Sequence, residues 1–173
     1  MNKLLVEIKA RCADHEPIRA GLNALNARCV GLDHQVDTYF KVPENRLKLR
    51  EGTIEKNLIY YHRPNQTGPK RSDVILHKPV ETDSLKAILE RVHGILVVVD
   101  KHREIWFVDN VKIHLDEVDE LGRFVEIEAI GAPGTHTDDQ LRDQCEALMR
   151  RFQIREDDLL TSSYSDMLLE KNA

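Results

Sequence analysis

The chain has little of what most common functional classes require. Its 173 residues hold three cysteines, Cys12, Cys29 and Cys145, an odd number with no CxxC spacing. That argues against a disulfide framework and against a thiolate zinc site. A basic excess is missing as well: 25 Lys and Arg stand against 30 Asp and Glu, a formal net charge of −5, so no nucleic-acid partner is expected. The longest strongly apolar run, Ile95 to Val99, is far too short to span a bilayer. Leu4-Leu5-Val6 meets Glu7 at once, which leaves no signal-peptide pattern. There is no Walker loop, no GxSxG and no Cys–His nucleophile arrangement, and none of the eight histidines forms HxxxH. The expectation is one cytoplasmic domain over residues 1–173, a monomer or homodimer without a membrane partner. Its 41% hydrophobic composition suffices for a core.

What the chain does have is alternation. In LVEIKAR, Val6, Ile8 and Ala10 are apolar while Glu7, Lys9 and Arg11 are charged, the period-two pattern of a strand with one buried face. The same pattern recurs in NRLKLR (Arg46, Lys48, Arg50), in VKIHLDEV (Lys112, His114, Asp116) and in RFVEIEAI (Glu126, Glu128). Arg63 ends the strand-like NLIYYHR, and Lys101 and Arg103 share a parity in DKHREIWF. With HQVDTYFKV and RSDVILHK, and with Ile95 to Val108 read as one long strand, the count is about eight strands. Helices are predicted after Asp14 (Ile18, Leu22, Leu25 on one face), after Thr82 (Leu85, Ile88, Leu89, Val92 buried) and after Thr137 (Leu141, Cys145, Leu148, Phe152). A short helix from Tyr164 to about Leu169 closes the chain, with Ser163 and Tyr164 packing against the barrel mouth. Asp109-Asn110 and Glu120-Leu121-Gly122 read as hairpin turns. Eight antiparallel strands can close a barrel around one small ligand; an open α+β sheet with one wet face is the alternative.

The charged faces carry nine bases (Lys9, Arg11, Arg46, Lys48, Arg50, Arg63, Lys101, Arg103, Lys112) and four acids (Glu7, Asp116, Glu126, Glu128). An excess of five positive charges on an otherwise acidic chain is not random surface decoration. If helices cover the apolar face, the cations converge on a cavity, where they require an anion among them. Phosphate suits arginine forks and lysine point charges. The acids on that face call for a hard cation, Mg²⁺ or Mn²⁺, between them. His114 is the one histidine whose parity places it beside Lys112 and Asp116, as a ligand contact. Tyr39 and Phe40 are assigned to the core.

EIK in VEIKAR, the RLKLRE strand, KHR before an aromatic strand and LDEVDELGRFVEIE, taken in order, resemble the CYTH family of triphosphate tunnel metalloenzymes. The likeness runs from Val6 to SYSDMLL, which is similar to the ending of the class IV adenylyl cyclase branch. It implies an α+β fold, a closed or nearly closed antiparallel eight-stranded tunnel with helices outside. It also implies a metal-dependent enzyme, either a triphosphatase (inorganic, thiamine or nucleoside triphosphate) or an adenylyl cyclase making cyclic AMP and pyrophosphate. By position, Glu7, Glu126 and Glu128 match metal ligands, and Lys9 a phosphate contact or general base. Arg50, Arg63, the Lys101/Arg103 pair and Asp116 match the triphosphate-binding and catalytic set. The first Glu of the family signature E-x-E-x-K is replaced by Leu5, which leaves a non-catalytic phosphate-binding module as a further alternative.

Overall fold

The computed structural model describes residues 2–132 and 134–173. Eight strands run β1 (Asn2–Arg11), β2 (Arg28–Phe40), β3 (Arg46–Gly52), β4 (Lys56–His62), β5 (Lys70–His77), β6 (Ile95–Val108), β7 (Val111–Val118) and β8 (Gly122–Gly131). They close into a barrel in the order β1-β5-β4-β3-β2-β6-β7-β8, with β8 pairing back onto β1 and every pairing antiparallel. Closure removes both sheet edges and rules out the open sheet.

The helices decide which face turns inward. α1 (Glu16–Ala24) and α3 (Asp138–Arg151) lie against the outside of β1, β7 and β8. Ile18 and Leu22 of α1 and Leu141, Cys145 and Leu148 of α3 pack on Val6, Ile8, Ala10, Val111, Ile113, Leu115, Val125 and Ile127. Each aliphatic side chain so buried contributes about 1.5–3 kcal/mol. The apolar parity is therefore outside, under helices, and the charged parity is inside. α3 starts where expected: Thr137 accepts from the Gln140 N–H, and the Gln140 side chain accepts from the Thr137 N–H, a reciprocal cap. α4 (Tyr164–Lys171) opens the same way at Ser163 and Asp166. It plugs one end of the barrel, with Tyr164 and Leu168 packed among Tyr39, Tyr61, Val99, Val118 and Phe124.

Three local expectations differ. α2 (Asp83–His93) buries no side chain; Leu85 and Leu89 are half-buried, whereas Ile88 and Val92 are 58% and 69% exposed. Its apolar stripe is real, but the helix rests only loosely against β2, and a Lys86–Glu51 ion pair (2.7 Å) helps to anchor it. β2 begins at Arg28, not near His34, because its register shifts between Cys29 and Gly31, a bulge that lets pairing continue through the glycine. α1 is capped by position at His15; Asp14 accepts from the Glu16 N–H one residue earlier than a cap would. None of the described helices is long and apolar enough to cross a membrane.

One turn matters for the site. Asp33 is fully buried and accepts from the backbone N–H of Ile54 (2.8 Å) and Glu55 (3.0 Å) and from the Thr53 hydroxyl (2.9 Å). Gly52 makes room for it, since a Cβ there would meet the Asp33 carboxylate at 2.8 Å and the Glu55 carbonyl at 2.6 Å. The β3–β4 turn is thus held so that Glu55 reaches the barrel interior.

Candidate functional site: a charged tunnel closed at one end

The barrel encloses a cavity of about 600 Å³, within the usual range for small-molecule sites. Glu7, Lys9, Lys48, Arg50, Arg63, Lys101, Arg103, Lys112, His114, Glu126 and Glu128 all line it. Asp116 lies behind Arg103, which it holds with two bonds of 2.6 Å. Two expected bases stand elsewhere. Arg11 is exposed at the end of β1, its guanidinium 5.4 Å from the Phe124 ring centre. Arg46 pairs with Asp166 at 2.7 Å, at the plugged end.

The side chains form two buried clusters. In the first, Glu126 accepts from Lys9 (2.9 Å) and Arg103 (2.8 Å) and contacts His114 Nδ1 (3.0 Å). Lys9 lies 3.8 Å from the Tyr164 ring centre, and the Tyr164 hydroxyl donates to Asp116 at 2.6 Å. In the second, Asp37 takes both arms of Arg50 (2.8 and 2.9 Å), Lys48 (2.9 Å) and Lys101 (2.9 Å). Glu55 joins Arg50 (3.3 Å) to Lys112, and Arg63 pairs with Glu7. Sequence parity missed Asp37 and Glu55, as it missed the lining residues Lys56 and Lys78. Asp37 shares the parity of Tyr39 and lies opposite Arg50 in the β2–β3 register, so it was legible. Glu55 sits in a turn, where no periodicity speaks. With these corrections the lining carries nine Lys or Arg and five carboxylates, a net charge of +4.

Burial and neighbours set the protonation states. Burial alone raises a carboxylate, yet Arg50, Lys101 and Lys48 hold Asp37 well below its usual range. Lys9 and Arg103 do the same to Glu126. Glu7 is lowered less: burial and the Glu126 charge oppose Arg63 and Lys9. Glu128 goes the other way, pushed up to about 7 by burial that Lys112 only partly offsets, with the charges of Glu7 and Glu126 adding to the rise. Burial brings Lys101 down to about 7 against the pull of Asp37, and His114 down to about 4, so its imidazole is neutral near pH 7.

The cluster is electrostatically incomplete. Buried polar atoms without a partner include Arg63 Nε and one of its terminal nitrogens, His114 Nε2, Asn57 Oδ1 and Ser72 Oγ, all on residues that line the cavity. Unpaired buried polar groups are costly, and five such atoms around one void indicate a polar occupant. Glu7 and Glu128 are direct cross-strand partners, a like-charge pair that is unfavourable unless a cation lies between. Among the described residues no three His, Cys, Asp or Glu side chains are already gathered as metal ligands. Glu7, Glu126 and Glu128 offer carboxylate oxygens alone, the ligand type of a hard divalent cation that brings much of its own oxygen shell.

Comparison with known proteins agrees with this geometry. No curated protein matches the chain. The PH1012 protein of Pyrococcus horikoshii OT3 superposes with a TM-score of 0.82 at 22% identity, covering 94% of this chain and 98% of its own. A "putative adenylate cyclase" from Vibrio parahaemolyticus gives 0.78 at 22% identity, covering 98% and 99%. A "putative adenylyl cyclase" from Hippeastrum, described as having a dominant triphosphatase activity, gives 0.56 at 13%, covering 97% and 95%. At these identities the likeness shows the shared barrel. The CYTH domain profile, by contrast, matches residues 4–164, nearly the whole tunnel, and the chain therefore belongs to the CYTH domain family.

Proposed function

We propose that the chain is a Mg²⁺- or Mn²⁺-dependent enzyme that hydrolyses a triphosphate inside its tunnel. The observation that carries this reading is the buried Arg63 guanidinium, bonded to Glu7 through one nitrogen and without partners at the other two, in a cavity with a net charge of +4. A guanidinium that lacks partners for two of its nitrogens is a fork awaiting anionic oxygens. Lys9, Arg50, Arg63, Lys101 and Arg103 would grip the phosphates, with Lys48 and Lys112 beside them. Asp37, Asp116 and Glu55 keep those bases oriented.

Glu7, Glu126 and Glu128 would hold the cation. When bound, it supplies charge neutralisation across the phosphate oxygens. The residues do the rest: the arginines stabilise charge that develops on the transferring phosphoryl group, and the Lys9 ammonium, held by Glu126 at 2.9 Å, would add to that stabilisation. Water would then form the new P–O bond as the bridging P–O bond breaks, the leaving phosphate carrying away the electron pair and its oxygens taking up the proton that the water gives up.

Adenylyl cyclisation is the second reading, in which a ribose 3′-hydroxyl attacks the α-phosphate. It is favoured by the C-terminal SYSDMLL segment, whose Tyr164 reaches Asp116. The deciding experiment measures phosphate, pyrophosphate and cyclic AMP released from tripolyphosphate, thiamine triphosphate and ATP with each metal. Phosphate release supports hydrolysis and cyclic AMP supports the cyclase. Binding without product would leave a phosphate-binding module.

A pH dependence follows from Glu128. Its proton competes with the cation, and that proton leaves near pH 7. Apparent Mn²⁺ affinity in the presence of tripolyphosphate should rise with pH and level off above about 7. Well below 7 it should fall by up to about tenfold per pH unit. Calorimetric titrations from pH 5.5 to 8.5 check this; an affinity flat across that range would remove Glu128 from the ligand set.

A further inference from the structure

The barrel also carries chemistry on its outer wall. His34 of β2 and His102 of β6 are direct partners in the strand register. Each stands between buried, inward-facing neighbours, Asp33 and Gln35 on β2 and Lys101 and Arg103 on β6, so parity turns both imidazoles outward. Their rings stack with centres 4.5 Å apart and planes 7° from parallel. Glu117 of β7 pairs with His102 from the other side. His34, His102 and Glu117 thus form one exposed row across three strands. No HxxxH spacing could show this row, because register and not sequence brings it together.

Two features set the row apart from an ordinary solvated face. His34 Nε2 lies 2.7 Å from Asp100 Oδ1. An ionised carboxylate only accepts, so Nε2 carries the proton and Nδ1 keeps its lone pair. A carboxylate that fixes the tautomer in this way is the usual outer support of a metal-bound histidine. The second feature is charge. The shallow depression around the row is lined by Asp100, Glu117, Asp119 and Glu120. Among the described residues that line it, Arg123 is the one exposed base, and it reaches Glu117 only at 3.7 Å. A contact so exposed does not tie up the carboxylate, and the surplus of negative charge draws cations.

We propose that His34, His102 and Glu117 bind a transition-metal ion, with Asp100 orienting His34 from behind. Imidazole ligands suit Zn²⁺, Ni²⁺ and Cu²⁺, whereas Mg²⁺ and Mn²⁺ prefer oxygen. The site is therefore chemically distinct from the all-carboxylate set in the tunnel. As they stand, the two rings stack and do not converge on one point. Side chains this exposed turn within nanoseconds. His34 Nδ1, one nitrogen of His102 and one Glu117 oxygen then supply three ligands, with water as the fourth. The ion fastens β2, β6 and β7 to one another at positions next to Lys101 and Asp116. Nothing in it depends on the tunnel's substrate.

Calorimetric titrations with Zn²⁺, Ni²⁺ and Mg²⁺ on the parent chain, His34→Gln, His102→Gln and Asp100→Asn test this, with imidazole nitrogen resonances locating the ion. Zn²⁺ and Ni²⁺ should bind the parent and shift the His34 and His102 resonances, and Mg²⁺ should leave them in place. Either histidine variant should lose at least about tenfold in Zn²⁺ affinity, and Asp100→Asn about tenfold. Circular dichroism should show each variant folded, and tripolyphosphate binding with Mg²⁺ should be unchanged, since these side chains lie outside the tunnel lining. Absence of Zn²⁺ binding, an affinity that neither histidine variant lowers, or a bound ion that leaves both resonances unmoved would overturn the inference.

Discussion

Replacing Asp37 with asparagine is expected to destabilise the free protein by about 3 kcal/mol, the lower end of the 3–5 kcal/mol typical when one partner of a buried ion pair is removed. Asp37 is 1% exposed and is the shared counter-charge of Lys48, Arg50 and Lys101. Asparagine keeps the shape and removes the charge, so three cations are left facing one another. The lower end applies because Lys101, already brought to about 7, can shed its proton and relieve the repulsion. The pH dependence has a definite sign. Attraction between Asp37 and Lys101 counts only while Lys101 is charged, below about pH 7, so the loss should be larger at pH 6 than at pH 9. Tripolyphosphate supplies the missing negative charge, so it should raise the melting temperature of Asp37→Asn more than that of the parent. Urea unfolding at the two pH values, with and without tripolyphosphate, measures all three effects. A loss below about 1 kcal/mol would mean that the second cluster is not the electrostatic support described here.

Glu126→Gln is expected to lower turnover by at least about a hundredfold, the scale seen when a preorganised charge-stabilising group is removed. Glu126 bonds Lys9 and Arg103 and contacts His114, and it is held ionised by those bases. An amide there offers a cation one neutral oxygen and turns its N–H₂ toward donors. The fold should survive, because Asp116 still clasps Arg103 with two bonds. Leu5→Glu should act in the opposite sense on the metal, raising Mn²⁺ affinity without substrate. Steady-state rates and Mn²⁺ titrations of both variants test this. Turnover in Glu126→Gln within about threefold of the parent would remove Glu126 from the reaction.

Strand parity carried most of the site because a closed barrel has only two faces, and helices cover one of them. Once α1 and α3 bury Val6, Ile113 and Ile127, the intervening Glu7, Lys112, His114, Glu126 and Glu128 have nowhere to point but inward. Parity does not say how far along the barrel a residue lies. That is why Arg11 and Arg46, at strand ends, were grouped with the site yet stand outside its lining. Nor does it reach turns: Glu55 is delivered to the cavity by Asp33 beneath the β3–β4 turn. The stripe on α2 failed for a related reason, since amphipathicity states what a helix could bury and not how closely it packs on what lies beneath it.

The central claim is that the inward charges of this barrel form a triphosphate site completed by a divalent cation. Thermal unfolding with saturating tripolyphosphate and Mg²⁺ tests it most directly, because a cavity with a net charge of +4 should be stabilised by the anion it is built to hold. At a hundred times the dissociation constant the expected gain is about 2.7 kcal/mol, a rise in melting temperature of several degrees that is larger with Mg²⁺ than without. A melting temperature unmoved by the ligand and the metal together would contradict the account.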